Sequence, residues 1–243
     1  MDEVREYTAP IEGVAQGGGP VRLGRDTVRL ASAWLTGWCA SRGFEAPVPT
    51  GGGYWVYPRE DGRERELLWP DPHQPIEPDL LATIGASSVP SWVTVATTDV
   101  SSTQGLLADR GVVPAGWPEW LMASELATGT NGDCPGGCTP SIGRVDDVFV
   151  GEVRGSAGDL VASGRMALTE DGFAVADRIV TEEGYRRQGF GRWLMTELGS
   201  AARDAGATHG LLIASVEGHL LYEAMSWTSV CDVVIARNTS AMA

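Results

Sequence analysis

The stretch Glu182 to Gly199 reads EEGYRRQGFGRWLMTELG, and its residue types are those of an anion site. Gly189 and Gly191 permit unusual backbone angles and let a ligand approach the main chain closely. A helix-like pattern starts here, and the first amides of a helix have no internal partner, so they point outward as donors. The helix dipole adds partial positive charge at the same end. Arg186, Arg187 and Arg192 add full charges, and Gly184 to Thr196 contains no acid. A pyrophosphate fits such a turn better than a single carboxylate. Read alone, the hexapeptide is also compatible with a turn that only caps a helix.

Other residues near this turn have the chemistry for proton transfer. Asp177 lies in AVADRIV, the strand-like run just before the turn. It is a candidate base, although an Asp beside Arg178 also suits a salt bridge. Glu182 and Glu183 fall in the loop, where solvation is the simpler reading. Tyr222 follows in LLYEAMSW, where aromatic core packing is the alternative to a role as acid, and His219 sits one helical turn before it. The chain has no lysine, which removes the phosphate-binding lysine of a Walker A loop, the strand lysine of a protein kinase and any Schiff-base lysine. A dinucleotide fingerprint fails too, because the glycines come late and do not form GxGxxG near a first strand.

The formal charge is -14 over 243 residues. This opposes nucleic-acid binding, which needs a basic surface, and docking on anionic lipid. It mildly favours a cationic partner. The N-terminal MDEVREYTAP starts acidic and has no apolar core, so it does not read as a signal peptide, and no run approaches a membrane span. Of the four cysteines, only Cys134 and Cys138 form a close pair, CPGGC. Without a second pair this reads as a loop with free thiols or a redox pair, and no metal is expected. The cytoplasm is the expected compartment.

The elements that must position these residues follow from pattern. RDTVRLASAWLTGWCASRG, Arg25 to Gly43, is a helix with Val28, Ala31, Leu35 and Trp38 on one face and Gly43 as its stop. GGGYWVYP and RERELLWP are short strands about a turn, EPDLLATIGA a short helix, Ser91 to Asp99 a strand, SSTQGLLADRG a capped helix and WPEWLMASEL a further strand. Residues 1–20 read as a leader. The Gly/Pro-rich stretch from 126 to 144 reads as a connection. After it come three strands in a meander (DDVFVGEVR, DLVASGRMAL, GFAVADRIV), the turn and its helix, a buried strand HGLLIAS, a short helix and a last strand VCDVVIA. The strand-then-helix order of WVTVATTDVSSTQGLLADRG is echoed by GLLIASVEGHLLYEAMSW, a hint of duplication.

RRQGFG resembles the R/Q-x-x-G-x-G/A signature of the GNAT superfamily of acyl-CoA-dependent N-acyltransferases, and LLYEAMSW is similar to that family's LYxxxGF ending. The meander, signature helix, buried strand and short helix fall in the same order, over about Asp146 to Ala236. The resemblance implies a GNAT fold: an α/β protein of the α+β type, with a mixed, mainly antiparallel sheet flanked by helices. It implies acetyl-CoA as cosubstrate. The backbone of Arg186, Arg187, Gln188, Gly189, Phe190, Gly191 and Arg192 would hold the pyrophosphate, and Ile179 and Val180 would pair with the pantetheine arm. Tyr222 would protonate the leaving thiolate, and Asp177 would serve as base. Ser226 and Trp227 depart from the family's Gly-Phe, and Ser215 stands where Asn is common. Only one closing strand fits where two are usual. The second would come from the first half or from a second subunit, as in a homodimer.

Three segments are thus expected: an N-terminal α/β half to residue 125, the connection 126–144, and a catalytic domain 145–243. The first half reads as a degenerate GNAT-like unit, in a tandem arrangement, that could wall off the acceptor pocket. It holds Trp34, Trp38, Trp55, Trp69, Trp92, Trp117 and Trp120. The expected activity is acetyl transfer to a small-molecule amine. A protein or peptide acetyltransferase and a non-catalytic acyl-CoA sensor are the alternatives.

Overall fold

The computed structural model describes residues 26–60, 62–126 and 132–242. The expected leader lies outside these residues, as does 127–131 of the expected connection. The first half contains α1 (Thr27–Arg42), β1 (Val48–Thr50), β2 (Gly53–Val56), β3 (Arg65–Trp69), α2 (Pro78–Gly85), β4 (Ser91–Thr97), α3 (Val100–Ala108), β5 (Val112–Pro114) and β6 (Glu119–Glu125). The second contains β7 (Thr139–Val145), β8 (Val148–Arg154), β9 (Leu160–Leu168), β10 (Phe173–Thr181), α4 (Phe190–Asp204), β11 (His209–Ala214), α5 (Val216–Glu223) and β12 (Thr228–Asn238). The strand β7 starts inside the stretch expected as a connection. Its residues are mostly exposed, so it carries no alternating apolar signal, and its pairing with β8 defines it.

Among the described residues all the strands join one sheet, in the order β1-β2-β3-β4-β12-β6-β11-β10-β9-β8-β7, with β5 also on β12. Two pairs are parallel, β3 with β4 and β10 with β11. Each is linked through a helix, as parallel strands require. The two halves therefore repeat one order: strand, helix, parallel strand, helix, closing strand. The closing strands are exchanged. β6 of the first half pairs with β11, β12 of the second half pairs with β4, and β6 and β12 pair with each other. The closing strand missing from the C-terminal sequence pattern is thus β6, supplied within the chain. The loop before α2, Pro70 to Glu77, contains neither glycine nor arginine, so the first half repeats the element order without a counterpart of the Arg/Gly turn.

Alternation along the strands divides the core between the two sheet faces. One face carries Met166, Ala174 and Leu212 under Leu194, Met195 and Leu198 of α4, and Leu67, Val93 and Val234 near Leu81, Ile84 and Leu107 of α2 and α3. The opposite face carries Leu68, Leu121, Phe173, Val175, Leu211 and Val233 under α1. The α1 helix packs on β9, β10 and β11, so a helix of the first half covers the sheet of the second half. Its buried side is wider than the expected stripe. Val28 is exposed, whereas Leu30, Trp34 and Cys39 join Ala31, Leu35 and Trp38. A helix laid across a sheet over most of its length buries more than one narrow row. Gly43 ends α1 in the left-handed conformation, as expected.

Candidate active site

The parallel pairing of β10 and β11 runs only from Phe173↔His209 to Val175↔Leu211. Beyond it the two strands part, although β10 continues to Thr181 and β11 to Ala214. The separation leaves unpaired backbone on facing edges, a ready place for an extended ligand arm. Between Asp177 and Val180 the register of β10 on β9 shifts by one residue, and Arg178 takes φ 52°. This is a β-bulge, which re-aims the main chain at the point where the strands diverge. Ile179 turns its side chain toward α4 and Gly164, while Val180 is 44% exposed.

After β10 the chain makes one short 3₁₀ turn, Glu183–Tyr185, and reaches α4. Gly189 caps the helix with φ 93°, a conformation that a side chain would strain. The first bond into the helix is Trp193 N–H to the Gly189 carbonyl at 2.9 Å, so the amides of Phe190, Gly191 and Arg192 precede it. A side chain at Gly191 would come within 3.2 Å of Leu221, so glycine lets α4 and α5 approach here. The loop is braced from several sides. Tyr185 donates to Asp159 Oδ2 at 2.5 Å, Arg186 Nε to the Thr181 carbonyl at 3.2 Å, and Gln188 Nε2 to the Gly184 carbonyl at 3.1 Å. Arg186 also lies 3.8 Å from Glu217. Arg192 donates to the Ala224 carbonyl at 2.8 Å, fixing the end of α5. Phe190 is buried in the core, so only its backbone is available to a ligand.

The loop, the β10 edge and α5 form one side of a single cavity of about 1180 Å³. Tyr222 lines it from α5. It is 7% exposed, and burial pushes its phenol up to about 12, so it keeps its proton through the neutral range. The other side comes mainly from the first half: Trp34, Trp38 and Arg42 of α1, Glu66 of β3, Thr94 of β4 and Glu119 of β6. Asp177 also opens on this side. Arg42 holds it with two bonds, Nε to Oδ2 at 2.5 Å and Nη2 to Oδ1 at 2.9 Å, and Ser41 Oγ donates to Oδ2 at 2.8 Å. The salt bridge weighed for Asp177 therefore exists, with Arg42 as its partner. Arg178 instead lies 3.9 Å from Glu60.

Residues 144–228 match the family model for the acetyltransferase (GNAT) domain. This stretch of the chain is similar to a GNAT domain. The matched residues include the bulged strand β10, the turn, α4 and Tyr222. Two solved structures share the fold. A GCN5-related N-acetyltransferase from Kribbella flavida is 18% identical, with a TM-score of 0.63 over 88% of this chain and 96% of its own. One from Sphaerobacter thermophilus is 13% identical, with a TM-score of 0.52 over 77% and 76%. No curated protein matches the sequence. Among the described residues no helix is long and apolar enough to cross a membrane.

Other candidate residues of the sequence sit beside the cavity or away from it. His219 stacks on Trp120 at 4.2 Å, with Ser229 at 3.1 Å and Glu223 at 3.5 Å, and does not line the cavity. Glu183 lines the cavity from the exposed loop before α4. Cys134 and Cys138 are unpaired thiols, and among the described residues no cluster of His, Cys, Asp or Glu could hold a metal ion. Three features of the first-half wall of the cavity had no sequence signal. Glu66 is 1% exposed, accepting from Arg63 Nε at 2.7 Å and Thr94 Oγ1 at 2.7 Å. Arg63 itself lies over Trp38 at 5.2 Å and Trp92 at 5.0 Å. Glu119 lines the cavity, and burial pushes its carboxyl from 4.5 up to about 7, against the pull of Arg63 and with a further push from Glu66.

Proposed function

We propose that this protein is an acetyl-CoA-dependent N-acetyltransferase whose acceptor is a small-molecule primary amine. The observation that carries the reading is the single cavity. It runs from the signature turn past the parted strands to a wall of first-half residues. The pyrophosphate of acetyl-CoA would meet the turn, where Gly189 is left-handed, the opening amides of α4 point out and Arg187 adds charge. The backbone of Ile179 and Val180, re-aimed by the bulge, would pair with the pantetheine arm and offer an amide to the developing oxyanion. The neutral amine attacks the thioester carbonyl, the C–N bond forms and the C–S bond breaks. Tyr222, protonated at neutral pH and facing the cavity, would deliver a proton to the departing sulfur.

The small-molecule reading rests on α1. This helix covers the acceptor side and brings Trp34, Trp38 and Arg42 to the cavity wall. A polypeptide acceptor needs an open groove there. The acidic charge of the chain suits a cationic amine. Four unpaired thiols suit a reducing compartment, and the cytoplasm is the proposed place of work. The test is release of free CoA thiol from acetyl-CoA by the wild-type protein, across primary amines and lysine-containing peptides. Turnover with small amines and none with peptides is expected. Turnover with peptides alone would overturn the acceptor class, and no thiol release with either would overturn the activity.

A further inference from the structure

We propose that Glu119, carried on the exchanged strand β6, is the catalytic base that takes the proton from the acceptor amine. The inference rests on the acetyltransfer reading above and assigns the step that reading leaves unassigned.

Three carboxylates reach the acceptor side of the cavity: Glu66, Asp177 and Glu119. Two are fully engaged. Both Asp177 oxygens receive bonds from Arg42, one of them also from Ser41. Both Glu66 oxygens receive bonds as well, one from Arg63 and one from Thr94. The oxygens of both carboxylates are already committed to neighbouring donors on the protein. Among the described residues the Glu119 side chain has no hydrogen-bond donor, and it faces open space.

Its place in the sheet puts it at the mouth of the parted strands. Trp120 stands opposite Ala214, the last residue of β11, so Glu119 falls level with Ser215. Ser215 lines the same cavity and caps α5, with Gly218 N–H donating to its Oγ at 3.3 Å. Tyr222 is on that helix. Base and acid thus flank the end of β11, Glu119 on the face covered by α1 and Tyr222 on the face of α4, with the opening between them. On β12 Glu119 is opposite Val233.

The charged groups facing Glu119 are Arg42 from α1, Arg63 from the turn before β3, Glu66 from β3 and Asp177 from β10; the neighbouring strands offer Thr94, Ile213 and Ile235, which carry no charge. Desolvation dominates at Glu119; Arg63 pulls against it and Glu66 adds to it. The result is a carboxyl that titrates near neutrality, as a base for an ammonium ion should. The protons balance as follows. Glu119 takes one from the ammonium group and later releases it to solvent. The nitrogen loses a second as the C–N bond forms and C–S breaks; Tyr222 gives its proton to sulfur and is reprotonated, through solvent, by the one that leaves nitrogen, so one proton is released per turnover.

The test compares wild type, Glu119→Gln and Glu119→Asp with the best primary amine of the panel, from pH 5.5 to 9, alongside titration with acetyl-CoA. For Glu119→Gln, kcat falls about 100-fold or more while the Kd for acetyl-CoA stays within about twofold. The wild-type kcat/KM profile rises through about pH 7, this limb is gone in Glu119→Gln, and Glu119→Asp restores part of the rate together with the limb. Retention of kcat within about threefold, or of the limb near pH 7 in the Gln variant, overturns the assignment and leaves the acetyltransfer reading intact. Loss of acetyl-CoA binding in the Gln variant makes the role structural and overturns it equally. Absence of thiol release by the wild type overturns both.

Discussion

Replacing Glu119 with Gln has a second consequence, on stability, and its sign follows from burial. The carboxyl of Glu119 has an ordinary value of 4.5 and lies at about 7 in the folded protein. The folded state therefore holds this proton more tightly than the unfolded chain does. Stability contributed by the protonated group is fully present below about pH 4.5 and is lost as the pH rises through about 7. Above 7 the folded protein bears the whole cost of a charged carboxylate in the cavity, roughly 3 kcal/mol, or about 2 allowing for the solvent that reaches it. Gln keeps the shape and removes the charge. The variant should match wild type near pH 4.5 and exceed it by about 2 kcal/mol at pH 8. For a chain of this length that is roughly 4–8 °C in Tm. Thermal unfolding of both proteins at pH 5, 6, 7 and 8 measures it. The difference in Tm should open steadily between pH 5 and 7 and then level off. A difference independent of pH would refute the reasoning, and so would a Gln variant less stable at pH 8.

Two further outcomes follow from neighbouring parts of the site. Tyr222→Phe should lower kcat about 10-fold to 100-fold with little change in the KM for acetyl-CoA, because the hydroxyl acts on the leaving sulfur and the ring still packs beside Trp227; steady-state kinetics would show it. Leu194→Ala should cost about 2–5 kcal/mol in chemical denaturation, since Leu194 is fully buried between α4 and the β8–β9 face and the hole cannot refill.

The turn side of the cavity was legible because its signals are local. Arg186, Gly189 and Gly191 lie within six residues of each other, the meander β8–β10 shows alternation and turn residues, and Tyr222 falls on a short helix at a fixed remove. The acceptor side was not legible because it is made by pairings distant in sequence. WPEWLMASEL reads as a strand, but nothing in it says that β6 inserts between β11 and β12 in the second half's sheet. Glu119 is one of many acids in an acidic chain until that insertion brings it level with Ser215. Likewise SAWLTGWCASR reads as a helix, while its crossing over β9–β11, which delivers Ser41 and Arg42 to Asp177, follows only from tertiary packing. The bulge at Arg178 left no mark either. Positive φ is commonest at Gly, and an arginine there gives no warning. β7 escaped because its exposed residues include Pro140 and Gly143, which pattern reading assigns to loops.

The turn from Arg186 to Arg192 is proposed to seat the pyrophosphate of acetyl-CoA. Calorimetric titration of wild type and Gly189→Glu with acetyl-CoA tests it most directly. The substitution puts a side chain where φ is 93° and a negative charge beside the phosphates. Wild type should bind acetyl-CoA at one site per chain, and a variant with an unchanged circular-dichroism spectrum should bind it at least about 100-fold more weakly. Absence of binding by the wild type, or equal binding by both proteins, would contradict it.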